Sequence, residues 1–215
     1  MLFADRIDAA QRLADALDAW RGKHALVLAI PRGAVPMGAA LAEALQADLD
    51  VVLVRKLGAP WQPEYAVGAI DESGWSFISD PDAASEEYLE GERARQLERL
   101  KERRRSYSPR HPPVDPAGRI VIVVDDGLAT GATMIAALHA VRSKGPQRLI
   151  CAVPVGAPAS VEKVKPYADE VVCLYTPPNF HAVGQFYGNF DQVEDDEVVA
   201  CLERFRTRPG AQAAD

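Results

Sequence analysis

Two adjacent carboxylates stand between an apolar run and a turn of small residues. Residues 120–124 read IVIVV, Asp125 and Asp126 follow, and residues 127–133 read GLATGAT. Small residues that lead into a helix leave backbone N–H groups unpaired, and these groups can hold a phosphate together with the helix dipole. Neighbouring carboxylates can accept hydrogen bonds from vicinal hydroxyls. The segment therefore predicts a site for a molecule that carries both a diol and a phosphate, such as a sugar phosphate.

Two other phosphate-binding loops fit the sequence poorly. The turn is not followed by Gly-Lys-Ser or Gly-Lys-Thr, which argues against a nucleoside triphosphatase. No Gly-x-Gly-x-x-Gly follows the first apolar strand, residues 25–30, which argues against a Rossmann-type dinucleotide enzyme. An ordinary strand-to-helix turn with an aspartate cap remains the simplest alternative.

The segment from Val121 to Thr133 resembles the phosphoribosyl-pyrophosphate (PRPP) motif of the type I phosphoribosyltransferases, a hydrophobic strand that ends in two acids and a Thr-Gly-x-Thr turn. The resemblance implies transfer of a 5-phosphoribosyl group from PRPP to a base, with Mg²⁺ as cofactor and release of pyrophosphate. It implies that Asp125 and Asp126 contact the ribose hydroxyls, with or without help from the magnesium ion, and that they meet the metal indirectly, through substrate or water. The 5-phosphate would then be wrapped by Ala129, Thr130, Gly131, Ala132 and Thr133.

Basic residues follow two further apolar runs. Arg32 and Gly33 come after residues 25–30, where the family has a pyrophosphate loop that often contains a non-proline cis peptide. Arg55 and Lys56 end the next run and resemble the basic pair that the family directs at pyrophosphate. A buried anion needs such partners. The resemblance therefore implies that Arg32, Arg55 and Lys56 are the catalytic basic residues, although a strand-end pair is often simply solvated.

The acceptor is suggested by an aromatic segment, TPPNFHAVGQFYGNF, that begins at Thr176. In this segment, Phe-x-x-Val-Gly resembles the Phe-Val-Val-Gly of hypoxanthine-guanine enzymes. In the PRPP motif, however, Ala129 stands where those enzymes carry an acid, and the sequence DDGLATG is closer to that of adenine-type members. A purine-like base is favoured and its identity stays open. The predicted base pocket consists of Phe180, His181, Val183 and Tyr187. A segment that only seals the edge of the sheet is the alternative.

The elements that position these residues alternate between apolar strands and helices, which predicts a mostly parallel α/β sheet, Rossmann-like, with helices on both faces. Ligands of such sheets bind beyond the carboxyl ends of the strands. We expect a single domain over residues 1–215, with a core at 24–175, a hood at 176–192 and a closing helix at 195–207.

The interior of the chain predicts further elements. Residues 51–56 read as one strand and residues 57–68 as a loop, the candidate lid, in which Trp61 and Tyr65 could cover the site. Residues 69–79 predict a hairpin and residues 82–106 a long helix.

Two groups of basic side chains receive structural interpretations. Arg103, Arg104 and Arg105 are interpreted as a solvated helix end rather than a phosphate site. His139, inside the helix after the turn, is expected to be structural.

Composition restricts the class of protein. The net charge of −7 argues against a nucleic-acid or membrane partner. Three scattered cysteines and the absence of a signal-like or membrane-spanning run favour the cytoplasm. The resemblance implies nucleotide salvage by a homodimer. The alternative is a non-catalytic PRPP-sensing regulator that binds nucleic acid or a protein partner.

Overall fold

The computed structural model describes residues 2–63, 65–107 and 112–206. Its strands are β1 (Leu26–Ala29), β2 (Asp48–Val51), β3 (Val54–Gly58), β4 (Ala66–Asp71), β5 (Ser76–Ile78), β6 (Ile120–Val124), β7 (Arg148–Val155) and β8 (Glu170–Tyr175). Its α-helices are α1 (Arg6–Ala16), α2 (Ala34–Leu45), α3 (Glu86–Tyr107), α4 (Ala132–Arg142), α5 (Pro158–Val164) and α6 (Asp195–Arg206). Among these residues, no helix is both long enough and apolar enough to cross a bilayer.

The central sheet has five parallel strands in the order β2-β1-β6-β7-β8. Successive side chains of a strand point to opposite faces. Val27 and Ala29 accordingly pack with α1, α2 and α6, whereas Leu26 and Leu28 pack with α4 and α5. The predicted α/β sheet with helices on both faces is confirmed. The carboxyl ends of β1 and β6 lie side by side, because Ala29 pairs with Val124.

The prediction of one strand over residues 51–56 is wrong. The chain stays hydrogen-bonded to the central sheet as far as Val52, whose N–H donates to the carbonyl of Ala29 at 3.1 Å. The chain then leaves that sheet, and β3 begins a second, antiparallel sheet in the order β3-β4-β5. Val52 and Leu53 are both buried but in different clusters, so the apolar run stays continuous across the change of sheet.

The predicted loop at residues 57–68 is shorter than expected, because β3 and β4 extend into it from both sides. The hairpin at residues 69–79 is confirmed by β4 and β5, with a left-handed Gly74 (φ +90°) in its turn. The closing helix is confirmed as α6, and residue 207 lies outside the described residues.

The long helix is confirmed as α3, but one of its terminal arginines is not solvated. The side chain of Arg104 is only 16% exposed. Its guanidinium donates to Glu72 at 2.6 and 2.9 Å and to the carbonyl of Val51 at 3.1 Å. The charge pattern of α3 therefore predicted correctly where the helix ends, but it did not show that the fold buries the side chain of Arg104. Arg103 lies 3.8 Å from Asp195.

Candidate functional site

A cavity of about 200 Å³ opens at the carboxyl end of β6. It is lined by Lys56, Asp125, Asp126, Gly127, Leu128, Ala129, Thr130, Gly131, Thr133, Met134 and Val183. Most of the residues of the predicted PRPP motif therefore border one space. This is the sheet edge at which parallel α/β proteins bind ligands.

The turn between β6 and α4 is held rigidly by its neighbours. Leu128 donates to the carbonyl of Val155 at 2.9 Å, and Ser160 donates through its hydroxyl to the carbonyl of Ala129 at 2.6 Å. Gly131 adopts φ +81° at the start of α4, a backbone conformation that side chains with a Cβ disfavour. The first amides of α4 have no partners within the helix and lie beside the cavity, where they can bind an anion.

The two aspartates are largely buried and close to one another. Oδ1 of Asp125 accepts the backbone N–H of Asp126 at 2.9 Å. Burial raises the pKa of Asp125 well above its usual range, and the neighbouring Asp126 raises it further, while Lys56 and Arg6 oppose the shift. Burial also raises the pKa of Asp126, with Arg6 as the main opposing charge. Cations and ligand hydroxyls are the partners that such a pair requires.

Arg6 is a site residue that sequence reasoning missed. Its guanidinium donates twice to Oδ2 of Asp126, from Nε at 3.2 Å and from Nη2 at 3.0 Å. Nη1 donates to the carbonyl of Asp191 at 2.7 Å, and the guanidinium lies 4.0 Å above the ring of Phe190. The only local signal was its place directly after Asp5, which caps α1 through the amides of residues 7 and 8.

The predicted pyrophosphate loop follows β1 and contains a cis peptide between Pro31 and Arg32, as the resemblance implied. Gly33 lies against the acid pair, since an added Cβ would be 2.5 Å from Oδ2 of Asp126. The side chain of Arg32 is directed elsewhere and pairs with Glu194 at 3.2 Å. The structure therefore brings Gly33, but not the guanidinium of Arg32, into contact with the acids.

The structure separates the predicted basic pair Arg55 and Lys56. Lys56 lines the cavity with the two aspartates. Arg55 faces α3 instead, where its Nε donates to Oε1 of Gln96 at 2.6 Å. Burial lowers the pKa of Arg55, and the neighbouring charges of two arginines of α3 lower it further. Adjacent residues of a strand point to opposite faces, so this pair cannot act on one ligand as a unit.

Comparisons with known proteins identify the family. A sequence model of the phosphoribosyl transferase domain matches residues 3–191. The chain belongs to the phosphoribosyl transferase domain family. Proteins from two strains of Mycobacterium tuberculosis, both named "Putative phosphoribosyl transferase", are 48% identical to it over 210 residues, which cover 94% of this chain and 47% of each relative. This phosphoribosyl transferase domain thus spans about half the length of these curated relatives.

A solved structure extends the likeness to the tertiary level. The protein TT1426 from Thermus thermophilus is similar to this phosphoribosyl transferase domain with a TM-score of 0.81 and 43% sequence identity. The match covers 95% of this chain and 99% of the other.

The predicted base pocket of this phosphoribosyl transferase domain is only partly assembled. Val183 borders the cavity, whereas His181 is exposed and Phe180 packs 5.5 Å from the ring of Phe186. Tyr187 is buried, and its hydroxyl donates to the backbone carbonyl of Asp126 at 2.7 Å. Through this hydrogen bond, Tyr187 supports the backbone of the acid pair.

The aromatic residues of the candidate lid lie away from the acids. Trp61 and Tyr65 are 62% and 42% exposed, and their ring centroids lie 5.0 Å apart with the rings tilted by 34°. Neither lines the cavity of this phosphoribosyl transferase domain. His139 stacks on Trp75 at 3.4 Å, and its Nδ1 lies 3.4 Å from Oδ2 of the buried Asp71, in agreement with the predicted structural role.

Within residues 2–63, 65–107 and 112–206, this phosphoribosyl transferase domain has no cluster of three or more side chains that could hold a metal ion alone. Oδ2 of Asp126 is engaged by Arg6, which leaves the acid pair with few free oxygens. Mg²⁺ usually keeps several waters and is bound through one or two carboxylates together with substrate phosphates. The side chains present fit a magnesium ion that is shared with a substrate.

Proposed function

We propose that this domain transfers the 5-phosphoribosyl group of PRPP to a nitrogenous base and releases pyrophosphate. The observation that carries the proposal is the single cavity in which Asp125, Asp126 and the turn at residues 127–133 meet. The acids suit the ribose hydroxyls, and the amides at the start of α4 suit the 5-phosphate. Both groups border the same cavity, as a site for a phosphorylated pentose requires.

On this proposal, the protein acts mainly through electrostatics. A nitrogen of the base attacks C1 of the ribose as the bond to pyrophosphate breaks, and negative charge grows on the departing oxygen. Lys56 lies beside the cavity and can stabilise that charge. Arg32 pairs with Glu194 and reaches the leaving group only after it releases that partner and binds pyrophosphate instead. The exchange costs little free energy, because surface ion pairs are weak.

Magnesium would be held by oxygens of PRPP with help from Asp125 and the free oxygen of Asp126, directly or through water. Its contribution when bound is to neutralise charge on the pyrophosphate. The side chains of this domain orient the ribose and exclude water from C1, so that the base and not water is the nucleophile.

The acceptor is a purine-like base, and the reaction belongs to nucleotide salvage. Val183 stands at the border of the cavity, with Phe180 and His181 on the same segment, residues 176–192. Aromatic rings of such a hood can stack on a flat base. As further parts of this proposal, the domain works in the cytoplasm and as a homodimer.

The deciding experiment incubates the protein with PRPP, magnesium and a panel of free bases while pyrophosphate release is followed. We expect release with at least one purine-like base. Binding of PRPP without release for any base would instead favour a non-catalytic PRPP-sensing regulator. Asp125→Asn and Asp126→Asn should each weaken PRPP binding at least tenfold, about 1.4 kcal/mol, in a calorimetric titration. Near-normal affinity in both variants would contradict the assignment.

A further inference from the structure

We propose that Arg6 is a positioning residue of this site, which holds Asp126 so that each aspartate presents one free oxygen to one hydroxyl of the ribose. The inference rests on the proposed function, because it assigns a task to the acids only if they bind a diol. It concerns a residue at the start of α1, far in sequence from the motif that it serves.

The hydrogen bonds of the two carboxylates leave two oxygens available. Oδ2 of Asp126 accepts both bonds from Arg6, and Oδ1 of Asp125 accepts the N–H of Asp126. Among the described residues, these three bonds are the hydrogen bonds that the two carboxylates accept, and both aspartates border the cavity. One open oxygen on each acid matches the two adjacent hydroxyls of a ribose.

The guanidinium of Arg6 is fixed in a way that suits a positioning role. It is bonded to Asp126 on one side and to the carbonyl of Asp191 on the other, and the ring of Phe190 covers it at 4.0 Å. The side chains of Arg6 and Asp126 are only 12% and 17% exposed. A planar guanidinium presents several donors in a fixed fork, which an ammonium group cannot reproduce.

The same residue joins three parts of the site. From the start of α1, Arg6 bonds to Asp126 of the PRPP motif and to Asp191 of the segment before α6. It also lies close to the pyrophosphate loop, since its Nη2 would be 3.1 Å from a Cβ at Gly33.

The opposite possibility is that Arg6 acts as a latch, an arginine that occupies the acid pair until the substrate displaces it. Its release would break three hydrogen bonds and leave a poorly exposed charge without partners, which is costly. The geometry thus favours an arginine that stays in place during binding.

The test compares ribose 5-phosphate with 2-deoxyribose 5-phosphate, which lacks one hydroxyl of the diol. Dissociation constants are measured calorimetrically for the wild type, Arg6→Gln and Arg6→Lys. The control is Arg12→Gln, because Arg12 lies on the same helix and pairs on its surface with Asp8. Thermal unfolding checks that each variant is folded.

We expect the wild type to prefer ribose 5-phosphate, and Arg6→Gln to lose at least tenfold of its affinity for that ligand with little change for the deoxy sugar. Arg6→Lys should keep part of the preference and Arg12→Gln all of it. A parallel loss for both sugars would indicate a merely structural arginine, and a gain in affinity would indicate a latch. Either result overturns the inference and leaves the proposed function standing. A wild type that binds neither sugar phosphate nor PRPP overturns both.

Discussion

Gly33 and Asp126 are in direct contact, because a Cβ added to the glycine would lie 2.5 Å from Oδ2 of the aspartate. The pyrophosphate loop after β1 and the acid pair after β6 thus meet at one point, where neither leaves room for a further atom. Arg6 completes the contact, since it holds the same oxygen. The position of one carboxylate is therefore determined by three separate segments of the chain.

Gly33→Ala should weaken PRPP binding about tenfold while the domain stays folded, because the new methyl group displaces the carboxylate of Asp126. The backbone of Gly33 is right-handed helical (φ −52°, ψ −37°), so alanine brings no conformational penalty of its own. Calorimetric titration with PRPP and magnesium measures the effect. The matched control is Gly91→Ala in α3, where a Cβ meets nothing closer than 3.5 Å and where we expect about 0.5–1 kcal/mol of added stability. Equal PRPP affinity in the two variants would contradict the role of the contact.

Gly131→Ala should cost about 1–2 kcal/mol of unfolding free energy, because alanine is strained at φ +81°. It should also weaken binding of the 5-phosphate, since the strain is relieved by moving the turn. Gly145→Ala is the control: its φ of +71° carries a similar penalty at a place where a Cβ meets nothing within 4 Å. Urea unfolding should show similar losses for both variants, with weaker ribose 5-phosphate binding for Gly131→Ala alone. Equal binding by the two variants would argue against the phosphate cradle.

Lys56→Gln and Arg55→Gln should have different consequences, because the two side chains face opposite sides of β3. The lysine variant should lose PRPP affinity, about tenfold, with little change in stability. The arginine variant should keep its PRPP affinity, since its guanidinium is engaged with Gln96 of α3. Binding measurements and urea unfolding on the same pair of proteins separate the two effects. A larger loss of affinity for Arg55→Gln would mean that the basic pair does act together.

Tyr187→Phe should reduce stability by about 1 kcal/mol through loss of the hydrogen bond to the carbonyl of Asp126. The variant should also change the alkaline limb of the stability curve. Burial raises the pKa of Tyr187 above its ordinary value, and the nearby Asp126 adds to this. In the unfolded chain the phenol ionises near pH 10, so its contribution is complete below that pH and falls by about 1.4 kcal/mol per pH unit above it.

The measurement for this variant is the urea midpoint between pH 8.5 and pH 11. Loss of stability with rising pH should be shallower in Tyr187→Phe than in the wild type. Some slope should remain, because burial also raises the pKa of Tyr107. Identical slopes would show that the hydroxyl of Tyr187 is not protected in the folded state.

Arg104→Met should lower the unfolding free energy by about 3 kcal/mol, because it removes a poorly exposed guanidinium that pairs with Glu72 at 2.6 Å and lies 3.7 Å from the 1% exposed Asp50. Arg105→Met, at the exposed end of the same helix, should change it by less than about 0.5 kcal/mol. Urea denaturation of both variants measures the difference. Equal effects would restore the original interpretation of a uniformly solvated helix end.

The sequence by itself determined the alternation of strands and helices, the parallel sheet and the acid pair before the turn. Each depends on contiguous residues: an apolar run such as residues 120–124 forms a buried strand, and Gly131 permits the turn that starts α4. The prediction of one strand over residues 51–56 was wrong because it, too, depended only on contiguous residues. The residues on both sides of the change of sheet are buried, so the apolar composition does not show where the chain leaves the central sheet.

Only the tertiary structure decided which charged groups meet. Arg6 reaches Asp126 because α1, which packs on α2, β7 and β8, places its first residue within reach of the acid pair that follows β6. Lys56 rather than Arg55 borders the cavity because β3 presents that face to it. Such pairs are far apart in the chain, and their contact depends on how helices and strands pack, not on the residues next to them. Local propensity acts over a few residues, whereas packing sets distances across the whole domain.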